Sequence, residues 1–186
     1  MPTPHHVDNY AIGKGILYIA EWVGTTPPTY PGDYTEMGNC PSIEMEPTME
    51  RLPHYSARES FKLKDKNPVI QTDYMVTFSC DEICSQNLKI FLLGTLEGNV
   101  VHGMQGANVE YALRFVSDNP IGPNNKWDFW KATVSPSGAM ALIGEEWMNM
   151  SYSAEGLADT ANHPTTPYFD MLMATTTTTT TTTTTV

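Results

Sequence analysis

VIQTDYMVTFSC (Val69–Cys80) alternates without a break: Tyr74, Val76, Phe78 and Cys80 fall on one side of an extended chain, and Asp73, Met75, Thr77 and Ser79 on the other. Successive side chains of a strand point to opposite faces, so this period of two predicts a strand with one buried face. DEICSQNLKIFLLG (Asp81–Gly94) follows at once and changes the period. Ile83 or Cys84, Leu88, Phe91, Leu92 and Leu96 recur at steps of three and four, the stripe of an amphipathic helix. Asp81 is expected as the cap or as a first-turn acid, Glu82 suits the positive end of the helix dipole, and Gly94 is the expected stop. Ile83, Leu88, Phe91 and Leu92 are the side chains expected to pack this helix, the only convincing one in the sequence, against a sheet.

The rest of the chain reads as strands and turns. ILYIAEWV (Ile16–Val23), bounded by Gly13, Gly15 and Gly24, predicts a buried first strand. Thr25–Tyr34 is dense in Pro and Gly and predicts a loop. In Ser42–Glu46, Ile43 and Met45 alternate with Glu44 and Glu46, so one face is apolar and the other acidic; Pro47 ends this strand or marks an edge. Glu110–Ser117 and Trp127–Val134 are further strands, and Ala141–Ala154 is expected as one long strand. Between the second and third strands, Arg51–Pro68 carries five of the ten Lys and Arg residues (Arg51, Arg58, Lys62, Lys64, Lys66), with Leu52, Tyr55, Phe61 and Leu63 as its sparse apolar residues. So long a segment with so little core pattern is a surface loop or an arm for an acidic partner. The expected fold is mainly β, two packed antiparallel sheets forming a β-sandwich or partly open barrel, with one flanking helix and a long arm between strands two and three. Residues 1–9 are expected as a flexible N-terminal arm, 10–170 as the domain, and 171–186, mostly an uninterrupted Thr run, as a flexible tail.

Composition narrows the function classes. The 186 residues suit one domain, with a formal charge of -11 that argues against gripping nucleic acid, where cations must neutralise phosphates. No run reaches the 18 or so apolar residues of a membrane span, and the first residues lack the pattern of a secretory signal, so no membrane partner is expected. Cys40, Cys80 and Cys84 cannot all pair within one chain and read as buried or half-buried thiols in a reducing compartment. The Cys80–Cys84 spacing lacks a second ligand pair, and the five histidines share no spacing, so no metal or other cofactor is expected. Gly13–Gly15 lacks the spacing of a phosphate loop, and Glu145 and Glu146, as neighbours on a strand, would point to opposite faces. An enzyme is not expected. Trp127, Trp130 and Trp147 leave open a sugar-binding platform, against core and interface packing as the ordinary use of tryptophan.

The order LYIAEW, GNCPSIEMEP, SARESFKLKDK, DEICSQNLKIFLLG and GEEWMNMSYSAEG, spread over Tyr10–Tyr168, resembles the major tail tube proteins of long-tailed bacteriophages. Its most telling stretches are Gly38-Asn39 leading into the acidic strand, the arm, and the helix opening at Asp81, Glu82 and Leu88. The resemblance implies hexameric rings whose inner sheets join into one barrel, and rings stacked into a tube that conducts genomic DNA into the host. It implies partners in further copies of the chain and in tape-measure, tail-terminator and distal-tail proteins. Double-stranded DNA would pass without specific binding, and the place of action would be a virion tail assembled in a bacterial cytoplasm. The arm residues Arg51, Tyr55, Arg58, Phe61, Lys62, Lys64 and Lys66 would then reach a neighbouring ring, and Glu44, Glu46 and Asp73 would face the lumen. The Thr-rich end departs from relatives that carry an extra immunoglobulin-like domain there. A tail terminator or baseplate hub of the same fold is the near alternative, and a monomeric carbohydrate-binding module the distant one.

Overall fold

The computed structural model describes residues 10–56, 61–105 and 109–174. Its elements run β1 (Gly15–Glu21), β2 (Thr35–Glu36), β3 (Ser42–Arg51), β4 (His54–Ser56), β5 (Leu63–Lys66), β6 (Val69–Cys80), α1 (Ser85–Phe91), β7 (Thr95–Glu97), β8 (Val100–His102), β9 (Glu110–Ser117), β10 (Asn125–Pro136), β11 (Met150–Gly156) and β12 (Phe169–Met173). Eight strands form one antiparallel sheet in the order β2-β1-β9-β10-β11-β6-β3, with β12 beside the first half of β10; β4-β5 and β7-β8 are separate two-stranded sheets. The chain is thus mainly β with a single helix among the described residues. Paired chain continues through Met173, and the Thr run lies outside the described residues, as do residues 1–9.

One face of this sheet is apolar along its whole width, and it buries that face on itself. Leu17 and Ile19 of β1, Leu113 of β9, Phe129 of β10, Tyr152 of β11 and Val76 and Phe78 of β6 belong to one core cluster. The sheet curls until Ser42, Ile43 and Met45 of β3 face Gly15 and Phe115 of β1 and β9 across one cavity, yet β3 and β1 do not pair. Of the sandwich and the partly open barrel, the chain takes the second form. Stacked rings fill the middle: Phe78 on Tyr152 at 4.9 Å, Tyr74 on Phe129 at 5.4 Å. Gly156 lies directly against the Tyr74 ring, where a Cβ would collide with it, so β11 needs glycine there.

The helix packs on this concave face. Phe91 meets Tyr152 edge-on at 5.7 Å, and Lys89 pairs with Glu21 of β1 at 2.6 Å. Asn87, almost wholly buried, knots three parts of the chain together. Its side-chain nitrogen donates to the carbonyls of Met37 (3.0 Å) and Glu82 (2.9 Å), while its backbone carbonyl accepts from the Tyr152 hydroxyl at 3.0 Å.

Two sequence expectations meet a different outcome, and of the two readings of Pro47 the sheet edge is the one found. The helix starts at Ser85, capped by Cys84, and not at Asp81. Asp81 is held by Asn39, whose side chain donates to it at 2.7 Å and whose carbonyl accepts its N–H at 3.2 Å. Ile83 therefore precedes the helix and is 41% exposed, while Leu88, Phe91 and Leu92 pack toward the core. The stretch from Ala141 to Asn149 is not strand. Its pairing to β6 starts only at Met150 opposite Cys80, where β6 ends, so the residues before it have no ladder to join. Finally, β3 does not end at Pro47. Proline, lacking an N–H, is tolerated because β3 is the edge of the sheet.

Replacing Asn87 with Ala strands the buried Met37 carbonyl and removes the donor to the more exposed Glu82 carbonyl, so we expect a stability loss of about 1–3 kcal/mol. Urea denaturation read by tryptophan fluorescence measures it; a loss below about 0.5 kcal/mol would show that water replaces the side chain without penalty.

Candidate assembly surfaces

The segment between β3 and β6 is a β-ribbon. β3 and β6 pair from Ser42↔Ser79 out to Arg51↔Val69, but β11 supports β6 only as far as Met75. Beyond that point two strands stand alone. The Leu52 N–H still bonds the Pro68 carbonyl at 3.0 Å, and β4 and β5 carry the ribbon on through His54↔Lys66 and Tyr55↔Lys64. A bare two-stranded ribbon is marginal in water. This one nevertheless exposes Met49, Leu52, Tyr55, Leu63, Ile70 and Phe61, the last at 65%. Each such side chain, about half exposed, forgoes about 1 kcal/mol of possible burial.

Its cations are as unusual as its apolar residues. Lys89, Arg114, Lys126 and Lys131 each reach a carboxylate: Glu21, Asp128, Asp128 and Glu110. Arg51, Lys62, Lys64 and Lys66 reach none among the described residues; Arg51 only donates to the Asn67 carbonyl, at 3.4 Å. Arg58 lies outside the described residues. So the arm residues Arg51, Tyr55, Phe61, Lys62, Lys64 and Lys66 are together on one projecting ribbon and all exposed.

The expected acids share a face. Glu44 stands opposite Thr77, Glu46 opposite Met75 and Thr48 opposite Asp73, so Glu44, Glu46 and Asp73 lie on the side of the sheet away from the core. Glu50, opposite Gln71, and Glu155, opposite Met75 from β11, extend this face. Ser42 and Ser79 bridge it at 2.7 Å. The face is thus acidic and hydroxylated.

Three features of the outer surface escaped the sequence reading. Asp128 is buried between Arg114 and Lys126, and Arg114 in turn lies 4.1 Å from the Tyr30 ring, beneath the Pro-rich loop. Burial pushes the neighbouring Tyr34 hydroxyl up to about 12, against the pull of Arg114. The loop from Ser137 to Asn149 leaves Ile143 97% and Trp147 91% exposed, beside Leu142. The apolar run around Gly144 was its signal, absorbed there into a strand. The tryptophans form no common platform: Trp127 stacks on Phe129, Trp22 donates to the Trp130 carbonyl at 2.8 Å, and Trp130 stacks on His163 at 3.8 Å. Among the described residues no three His, Cys, Asp or Glu side chains converge as a metal-binding group.

The third feature is a clasp in the β11–β12 connection. Buried Asp159 accepts from His163 Nδ1 at 2.8 Å and from the Asn162 side chain at 2.9 Å. Its spacing from His163, four residues, was legible only as scattered histidine. Burial pushes the Asp159 carboxyl up, but the bonds from His163 and Asn162 outweigh that and hold it below the ordinary value. A carboxyl depressed by folding stabilises above its unfolded value near 4, and that contribution fades as pH falls through the folded value. Asp159→Asn should therefore cost about 1–2 kcal/mol at pH 7 and progressively less below about pH 4. Thermal melts of both proteins from pH 7 to 2.5 check it; a gap that widens on acidification would contradict the assignment.

No family model matches the chain, and no curated protein matches it. Among solved structures, it is similar to a chain in the cryo-EM structure of the anti-feeding prophage baseplate, 6-fold symmetrised, with a TM-score of 0.44 and 10% identity over 94% of this chain and 97% of that one. It is also similar to a chain in the cryo-EM structure of the anti-feeding prophage cap, the tube-terminating cap, with a TM-score of 0.43 and 10% identity over 94% and 95%. Likenesses of this size carry no argument about function, which rests below on the chain's own residues.

Proposed function

We propose that this chain is a structural, non-enzymatic subunit of a phage-type tail, whose copies assemble as rings and stack into a DNA-conducting tube. The carrying observation is the β3–β6 ribbon, with bare apolar side chains and with cations that pair with no carboxylate among the described residues, on a chain of net charge -11. A monomer gains nothing from such an element; a neighbouring copy covers its apolar residues and offers acids to its cations. Further support comes from the free edge of β3, ten residues long, an aggregation hazard unless another strand joins it. The ordered likeness of the sequence to tail tube proteins supplies the kind of assembly. Closure of the sheet edge around a ring leaves the acidic face of Glu44, Glu46 and Asp73 toward the bore, where it repels phosphates and keeps DNA mobile.

Deleting residues 56–66 tests the ribbon. Negative-stain microscopy of the purified full chain is expected to show tubes, and the deletion only rings or single subunits with unchanged β-type circular dichroism. Tubes from the deletion would overturn the stacking role; single rings from the intact chain would favour a terminator, and monomers a binding module. A second test reverses the bore. Glu44→Lys with Glu46→Lys should leave tubes intact but slow DNA delivery through them, with the defect easing as salt rises. Unimpaired delivery by the double variant would overturn the bore assignment.

A further inference from the structure

The sequence spacing draws attention to Cys80 and Cys84, but the fold pairs Cys80 with Cys40. Their sulfurs lie 3.0 Å apart, both unoxidised. The pair is flanked on one side by a backbone bond, from the Asp81 N–H to the Asn39 carbonyl at 3.2 Å, and on the other by the Ser42 and Ser79 hydroxyls, 2.7 Å apart. Cys84 is otherwise employed, its sulfur accepting the Asn87 N–H as the helix cap.

The two thiols are unequal. Cys80 has no exposed surface, whereas Cys40 is half-buried and lines the cavity of about 290 Å³ at the open seam of the sheet, a cavity that Cys80 does not line. With Cys80 as donor, their hydrogen bond lowers the Cys40 thiol from its ordinary value and raises that of Cys80, which burial raises further. Burial and the carboxylates of Asp81, Glu36 and Glu82 oppose the first effect and are outweighed. An accessible, acidified thiol beside a buried one is the arrangement of an attacking and a resolving cysteine.

We propose that Cys40 and Cys80 form a reversible redox latch at the root of the β3–β6 pair, five residues inside the sheet from Met75, where the ribbon departs, closed by small-molecule disulfides. The Cys40 thiolate attacks the oxidant, forming a mixed disulfide and releasing one thiolate. Cys80 then attacks the Cys40 sulfur and displaces the second thiol, which leaves with the Cys80 proton. Two protein thiols are oxidised, one small disulfide is reduced to two thiols, and Cys84 takes no part. The new bond closes residues 40–80 into one covalent loop containing all of β3, β4, β5 and β6. A chain folded in a reducing compartment thus gains a covalent closure of the loop that ends in the ribbon when it enters an oxidising one. The inference does not depend on the tail reading.

The test incubates the purified full chain with oxidised glutathione, then counts thiols and maps peptides by mass spectrometry. Accessible thiols in denatured protein should fall from three to one, with a Cys40–Cys80 peptide and a free Cys84. The melting midpoint should rise by roughly 5–10 °C and return on adding dithiothreitol. Cys84→Ser should respond as the parent does, and Cys40→Ser should form no internal bond. A Cys80–Cys84 bond, a disulfide between chains, or glutathione retained on Cys40 would each overturn the proposal, independently of whether tubes form.

Discussion

β6 is twelve residues long, but β11 pairs with it only from Met75 to Cys80. Every backbone N–H and C=O must find a partner or water, so the remaining half of β6 is held on one side only, by β3. This mismatch in strand length divides the molecule. Where both neighbours are present, Val76, Phe78 and Cys80 are sealed beneath the curl of the sheet, and Tyr74, just past the last paired residue, is covered by Tyr168 and Phe169. Where β11 is missing, the same alternation continues into solvent and becomes the ribbon.

The distribution of charge follows the same division. In the body of the sheet, cations are spent internally: Lys89, Arg114, Lys126 and Lys131 each neutralise a carboxylate within the chain. On the ribbon no such partner is in reach among the described residues, while the acids of the β3–β6 outer face lack cations. The cations of the ribbon are therefore left to an acidic surface outside the molecule. Proline at Pro47 keeps the free edge of β3 from pairing along its full length, which limits unplanned strand addition.

Loops are tied down by buried polar groups and not by apolar area. Asn87 binds the helix to the segment before β3 and to β11. Asp159 folds the β11–β12 connection over Trp130, and the Tyr168 hydroxyl donates to the Thr72 carbonyl at 2.8 Å across the unpaired stretch of β6. These bonds are worth about 1 kcal/mol each when made and more when broken, so they select one arrangement of loops.

Local patterns in the sequence determined the mainly β class, the faces of β3 and β6, and the existence of a helix after Cys80, because a period of two or of 3.6 reports which side of a segment is buried. They also marked the arm, through five clustered cations and a sparse apolar pattern. Tertiary structure alone decided that the arm is a paired ribbon, since pairing depends on where β11 stops. It alone decided that Ala141–Asn149 is loop, for want of a neighbour past Cys80. It replaced Asp81 with Cys84 as the cap because Asn39, distant in sequence, claims the aspartate. The partner of Cys80 was likewise set by space and not by spacing: the sheet brings β3 beside β6, and with it Cys40, across forty positions of chain that no periodicity links.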